Sequence, residues 1–173
     1  MDARTEQQAP RDLRKENSNG YWLWFWISQR HPIKFAPHPF VIDGVECNSM
    51  EGFLQSLKFS NPEMQKEVCK LVGKAAKFKG KKKKWWRTQT LYWQGVEIAR
   101  SSQEYQVLLD RAFNALAQNN GFRAALLATG NSVLTHSIGK NKITETVLTR
   151  QEFCSRLMKI RERLRKECSE ECK

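Results

Sequence analysis

The stretch Phe40-Val-Ile-Asp43-Gly44-Val-Glu-Cys47-Asn-Ser49-Met-Glu51-Gly-Phe-Leu-Gln55-Ser-Leu-Lys58 decides the fold. Two short apolar runs flank Asp43-Gly44, a dipeptide suited to the positive φ values of a type I′ turn. Phe40–Ile42 and Val45–Cys47 are therefore expected to pair as a β-hairpin. Ser49 stands where a helix needs its N-cap, and the helix is expected to run to about Phe59. At about 100° per residue, Met50, Phe53, Leu54 and Leu57 gather on one face. Glu51, Gln55 and Lys58 gather on the adjoining stripe, within about 60° of one another. An acid, an amide and an amine thus border the buried face. Glu51 and Lys58 lie roughly 10 Å apart by helical rise, close enough for long side chains to converge on a ligand over Gln55. An ordinary amphipathic helix has a polar border too, and that reading stands beside the functional one.

Outward from this block the chain reads as a single helix-dominated α+β domain around a small, mostly antiparallel sheet. Residues 1–20 carry mixed charge and almost nothing apolar, and are expected to form a mobile tail. Tyr21–Ile27, with Trp22, Trp24 and Trp26 alternating, suits a central strand. Asn61-Pro62 opens a helix whose expected buried stripe is Met64, Val68 and Leu71. A basic loop is expected next, then an extended Thr90–Ile98. Ser101 and Glu104 form a capping box for a helix through about Gln118, with Tyr105, Leu108, Leu109, Ala112 and Leu116 inward. Asn119-Asn120-Gly121 breaks that helix, and another is expected from Phe122 to Gly130. Ser132–His136 suits a strand and Gly139–Thr146 a polar loop. Thr149 and Glu152 form a second capping box, with Leu148 and Phe153 at the staple positions and Phe153, Leu157, Ile160 and Leu164 inward. The domain is expected to span residues 21–165, with 166–173 as a tail.

The chain has 173 residues, 40% hydrophobic, which is enough to bury one core. No apolar stretch is long enough to cross a bilayer, and Met1–Gly20 has no signal-peptide core, so a cytoplasmic protein is expected, nuclear access included. Five scattered cysteines read as reduced thiols. The formal charge is +12, which favours nucleic acid, nucleotides or other phosphorylated partners. Much of the surplus lies in Lys77, Lys79, Lys81, Lys82, Lys83, Lys84 and Arg87, with Trp85 and Trp86 interleaved. Such a run is either a solvated loop or a patch that tracks phosphates while its aromatics stack on bases. Lys81, Lys82, Lys83, Lys84 and Arg87 are the candidate nucleic-acid patch. The sequence contains no Gly-rich phosphate loop and no nucleophile elbow. Its Cys and His spacing does not suit zinc, so neither metal nor cofactor is expected.

The run Phe35 to Lys58 resembles the opening signature of the NADAR (YbiA-like) family: a Phe, a hairpin, then a helix bearing spaced Glu, Gln and Lys. Later segments fit in the same order: Leu91-Tyr-Trp93-Gln-Gly, Arg100-Ser-Ser-Gln-Glu-Tyr105, Leu126-Leu-Ala-Thr-Gly130, His136-Ser-Ile-Gly139 and Thr146-Val-Leu-Thr-Arg-Gln-Glu152. Two positions depart from the pattern. Lys34 stands where an Asn usually precedes the Phe, and Gly139–Thr146, with Glu145, replaces a late Trp-Gly and Asp segment.

The resemblance implies an N-glycosidase that cleaves a bond between a base-like nitrogen and C1 of ribose. The favoured substrate is ADP-ribosylated guanine in nucleic acid. Phosphoribosyl intermediates of riboflavin synthesis are the alternative, and a noncatalytic ADP-ribose or nucleic-acid binding module is the reading from another class. Glu51 and Lys58 are the implied catalytic pair. A carboxylate stabilises positive charge building on the sugar; the lysine either attacks the anomeric carbon as an amine and holds it as an imine, or stays protonated and pairs with Glu51 or a phosphate. Phe35, Gln55, Trp93, Arg100, Tyr105, His136 and Gly139 are the implied substrate contacts; Arg100 is suited to clamp a pyrophosphate, and equally to an exposed salt bridge. The partners expected are an ADP-ribose-type ligand and ADP-ribosylated DNA or RNA, taken up by a monomer away from membranes.

Overall fold

A computed structural model describes residues 37–136 and 139–171. The expected strand Tyr21–Ile27, the N-terminal tail and the candidate contact Phe35 lie outside the described residues.

The hairpin forms as expected. Strand β1 (Phe40–Ile42) pairs antiparallel with β2 (Val45–Cys47), Phe40 opposite Cys47 and Ile42 opposite Val45. Asp43 and Gly44 both take positive φ, +49° and +78°, which is the I′ signature. Alternation buries Phe40, Ile42, Val45 and Cys47 on one side.

Helix α1 spans Met50–Ser56, capped by Ser49, whose Oγ accepts from the Gly52 N–H at 3.0 Å. It stops short of the expected Phe59 because later backbone groups find partners elsewhere. The Leu57 carbonyl accepts from Tyr92 N–H at 2.8 Å and the Phe59 carbonyl from Gln65 Nε2 at 2.7 Å. Every residue of α1 is buried, so its polar stripe is not a solvated border.

Helix α2 (Pro62–Cys69) starts at Asn61, whose side chain accepts from Met64 N–H. Its inward face is Gln65, Val68 and Cys69. The expected stripe is corrected at Met64, which is exposed, and at Leu71, which is half-buried beyond the helix. Gln65 sets this rotation: its Nε2 donates to Phe59 and Tyr92 carbonyls, and its Oε1 accepts from Gln94 N–H. The last carbonyls of α2 and its connection are capped from the start of α1. Asn48 N–H donates to Cys69, Asn48 Nδ2 to Lys70 and Ser49 Oγ to Leu71, at 2.8–3.0 Å.

The expected basic loop is partly a helix, α3 (Gly73–Lys81), followed by a 3₁₀ turn at Trp85–Arg87. Lysine is a good helix former, and Ala76 and Gly80 supply the buried face. Thr90–Ile98 is a second hairpin, β3 (Thr90–Trp93) with β4 (Val96–Ala99), turned by Gln94 and Gly95 at φ +48° and +84°.

Helix α4 (Gln103–Leu116) begins one residue later than expected. Ser102, not Ser101, accepts from the Tyr105 N–H. Its expected inward residues are all buried, with Phe113 added. Asn119 ends α4 and at once caps α5 (Asn120–Leu127), two residues ahead of the expected start. Ser132–His136 is irregular rather than a strand, and the Ser132 carbonyl accepts from the Arg161 guanidinium at 2.9 Å. Within Gly139–Thr146, Ile143–Glu145 form a 3₁₀ turn.

Helix α6 (Arg150–Glu171) has the expected capping box: Thr149 N–H donates to Glu152 Oε2 at 2.7 Å and Glu152 N–H to Thr149 Oγ1 at 3.1 Å. Leu148, Phe153, Leu157, Ile160 and Leu164 are buried, and the helix continues through residues 166–171. The result is an α+β fold of six helices and two small antiparallel sheets among the described residues. Among these residues no helix is long and apolar enough to cross a membrane.

Gly52 marks the closest approach to backbone atoms among the described glycines. A Cβ there would sit 2.5 Å from the Leu71 carbonyl oxygen and 2.8 Å from that of Cys69. Glycine to alanine inside a helix ordinarily gains about 1 kcal/mol. Gly52→Ala should instead lose roughly 1–3 kcal/mol, the overpacking scale, because backbone cannot swing aside. Urea unfolding checks this, and a neutral or stabilised variant would contradict the packing.

Candidate active site

The polar stripe of α1 is a hydrogen-bonded chain. Lys58 Nζ donates to Gln55 Oε1 at 2.6 Å, and Gln55 Nε2 donates to Glu51 Oε1 at 2.8 Å. Glu51 and Gln55 are 1% and 6% exposed. Glu51 thereby decides which end of the Gln55 amide faces Lys58, since a carboxylate accepts only from the NH₂ end. Gly80 of α3 makes room for that amide: a Cβ at Gly80 would lie 1.9 Å from Gln55 Oε1 and 3.0 Å from Gln55 Cβ.

Gln55 and Lys58 open onto a cavity of about 640 Å³. Lys77 and Lys81 of α3 line one side, followed by Lys83, Trp85 and Trp86 at the 3₁₀ turn. Lys140, Thr144 and Glu145 come from the loop before α6. The Glu145 carboxylate is shared by Lys140 at 3.4 Å and Lys142 at 3.8 Å, so the lining is strongly cationic. Gln89 ties the two walls. Its Nε2 donates to the Trp86 carbonyl at 2.7 Å and the Thr144 carbonyl at 3.1 Å, from a backbone at φ +55°.

Of the residues singled out from sequence, Gln55, Lys58, Lys81 and Lys83 meet at this cavity, with Glu51 beneath Gln55. Lys82, Lys84 and Arg87 do not line it. Arg100 is 1% exposed and forked onto Glu152, at 3.1 and 2.7 Å, while its Nε donates to the Thr146 carbonyl. It lies 4.7 Å from the Tyr105 ring centroid. These contacts tie β4 and α4 to the start of α6, and they occupy the guanidinium fork that a pyrophosphate would need. Burial pushes the Glu152 carboxyl up, but hydrogen bonds from Arg100, Thr149 and Gln106 outweigh it and leave it below the ordinary value. Tyr105 is fully buried, its hydroxyl donating to the Val147 carbonyl, and burial pushes the phenol up.

Trp93 Nε1 donates to Asp43 Oδ2 at 2.8 Å, and its ring lines a separate cavity of about 320 Å³ beside the first hairpin turn. His136 packs on Phe153 at 5.2 Å, and the Gly139 carbonyl accepts from Arg150 at 3.1 Å. Neither His136 nor Gly139 lines the cavity, although the loop beginning at Gly139 enters its wall at Lys140. Lys140 and Thr144 carried no sequence signal as site residues, being some eighty residues from α1 with no local motif. Gly80 carried none either, because the lysine-rich run around it read as a loop, where a glycine is unremarkable.

Gly80→Ala should lower stability by roughly 1–3 kcal/mol, because Gln55 must leave its buried partner Glu51 and the half-buried Lys58. In a Gln55→Ala background the same change should cost measurably less, the 3.0 Å approach to the Cβ of residue 55 being what remains. A double-mutant cycle by urea unfolding reads this coupling, and additive effects would break the link between the two positions.

Three comparisons place the chain among known proteins. Residues 26–162 match the family described as bacteriophage protein GP30.3. An uncharacterised 17.1 kDa protein from the Gp30–rIII intergenic region of Enterobacteria phage T4 is 41% identical over 135 residues, covering 75% of this chain and 88% of that protein. The NMR structure of E. coli YbiA superposes with a TM-score of 0.52 over 79% of each chain, at 24% identity, which speaks to fold. The chain belongs to the bacteriophage protein GP30.3 family and has the YbiA-type, NADAR fold that its Glu51–Lys58 block led us to expect.

Proposed function

We propose that this protein is an N-glycosidase that hydrolyses the bond between a base nitrogen and ribose C1, with ADP-ribose joined to guanine in nucleic acid as its substrate. The observation that carries the reading is the Lys58–Gln55–Glu51 chain at the floor of a lysine- and tryptophan-lined cavity. A pure anion binder gains nothing from a carboxylate buried beneath its site, since burying a charge is costly unless it is hydrogen-bonded and used. Five lysines line the cavity, more cation than a single phosphate requires, which favours a diphosphate ligand over a phosphoribosyl one. Trp85 and Trp86 offer faces for a base.

The chemistry follows from the chain of hydrogen bonds. As the C1–N bond lengthens, positive charge grows on the ribose. The negative end of the oriented Gln55 amide, backed by the buried Glu51, stabilises that charge. The unprotonated amine of Lys58 forms an N–C1 bond while the base leaves with the bonding pair and takes up a proton. Ring opening converts the adduct to an imine, and water then hydrolyses it to free the sugar and restore the amine.

Glu51→Gln should lower kcat on the order of a hundredfold, the scale of losing a catalytic electrostatic group, while ligand affinity changes only a few-fold. Turnover near wild type would remove Glu51 from the mechanism. Borohydride added during turnover should leave a sugar adduct on the peptide holding Lys58. Lys58→Arg keeps the charge but cannot act as a nucleophile, and should be inactive and untrapped. If Lys58→Arg stays active and nothing is trapped, Lys58 is an electrostatic contact and water attacks directly.

A further inference from the structure

Beyond the cavity, the outer face of α3 is not buried against any other element among the described residues. Ala76 and Gly80 form its buried side. Phe78 lies about 160° from each of them at 100° per residue, so among the described residues no packing demand puts an aromatic ring there. The ring is 67% exposed, the most exposed of the large hydrophobic side chains described. Lys74, Lys81 and Lys82 lie within about 60° of it around the helix, and the Lys82 ammonium sits 5.7 Å from its centroid. Exposure of this extent with a cation on one side leaves ring face open to solvent. Lys74, Lys79, Lys81, Lys82, Lys83 and Lys84 pair with no acid among the described residues. The surface is also continuous with the cavity. Lys77 and Lys81 of the same helix line it, and so does Trp86, itself 47% exposed.

We infer that this face carries the single-stranded polynucleotide flanking the modified base, with one neighbouring base stacked on Phe78 and the phosphates running along Lys74, Lys79 and Lys82. The inference rests on the reading of a nucleic-acid substrate given above and adds where the polymer lies. Alternating cations and an open aromatic ring are what an unpaired strand needs. Phosphates take the lysines, and stacking on an aromatic ring demands a base splayed from its partner. A duplex offers no such base, and an acidic protein segment would use the lysines and leave the ring idle.

The test compares wild-type protein, Phe78→Ala and Phe78→Trp, each first shown to melt at the same temperature. Affinity is measured for a short unmodified single strand, for the same strand with abasic positions, and for mononucleoside ADP-ribosyl guanosine. Phe78→Ala should bind the single strand about tenfold more weakly, the scale of losing one base–aromatic stack. Its preference for the strand over the abasic form should shrink to what Trp85 and Trp86 retain, and it should bind the mononucleoside conjugate as wild type does. Phe78→Trp should keep the preference. Wild-type affinity of Phe78→Ala for the strand, or no preference of wild-type protein for base-bearing over abasic strands, overturns the inference. Because unmodified strands report binding without turnover, the two readings fail separately. A Phe78-dependent strand preference in a protein that cleaves nothing supports the surface and defeats the glycosidase. Cleavage of the mononucleoside without strand preference does the reverse.

Discussion

The fold depends on how closely helix α1 is held. At one end, Asn48 and Ser49 cap the three terminal carbonyls of α2 and its connection, and Gly52 lets those carbonyls approach to within what a Cβ would block. Toward the other end, Gly80 of α3 presses against the Gln55 side chain. The two missing side chains act on opposite partners: one belongs to α1 and admits α2, the other belongs to α3 and admits α1. A helix clamped this way is buried on every face and cannot rotate to bring Glu51 or Gln55 into water. The electrostatic cost of a buried carboxylate is accepted, and its hydrogen bond to Gln55 passes that constraint on to Lys58.

Local chemistry was the legible part of the sequence. The Asp43-Gly44 turn, the Ser49 and Asn61 caps and the Thr149/Glu152 box all appear as read, because each depends on residues within four positions of one another. The misreadings have a tertiary cause. Gln65, not hydropathy, orients α2, since its amide bonds backbone groups on either side of the helix. For Arg100 an anion clamp and a salt bridge read equally well, because its partner Glu152 lies 52 residues away and is also a helix cap. A carboxylate has enough lone pairs to serve both roles, and sequence spacing does not reveal the second.

The candidate site shows the same division. Glu51, Gln55 and Lys58 were legible as a helical stripe, but their burial was not, because it comes from α2 and α3 packing over a face that periodicity leaves polar. The basic run was visible as charge. Its division into a helix that lines the cavity on one side and presents Phe78 on the other became visible only in three dimensions. The opposite wall comes from the Lys140–Glu145 loop and is tied across by Gln89, which no local pattern announces.

Which bond the protein breaks decides its chemistry. Wild-type protein would be incubated with ADP-ribosylated guanosine in ¹⁸O-labelled water and the products resolved by mass spectrometry. Cleavage at the glycosidic bond predicts unlabelled guanosine and intact ADP-ribose carrying one ¹⁸O at C1. Release of AMP, or label on a phosphate, would place the chemistry at the diphosphate and contradict the account, as would full recovery of the conjugate.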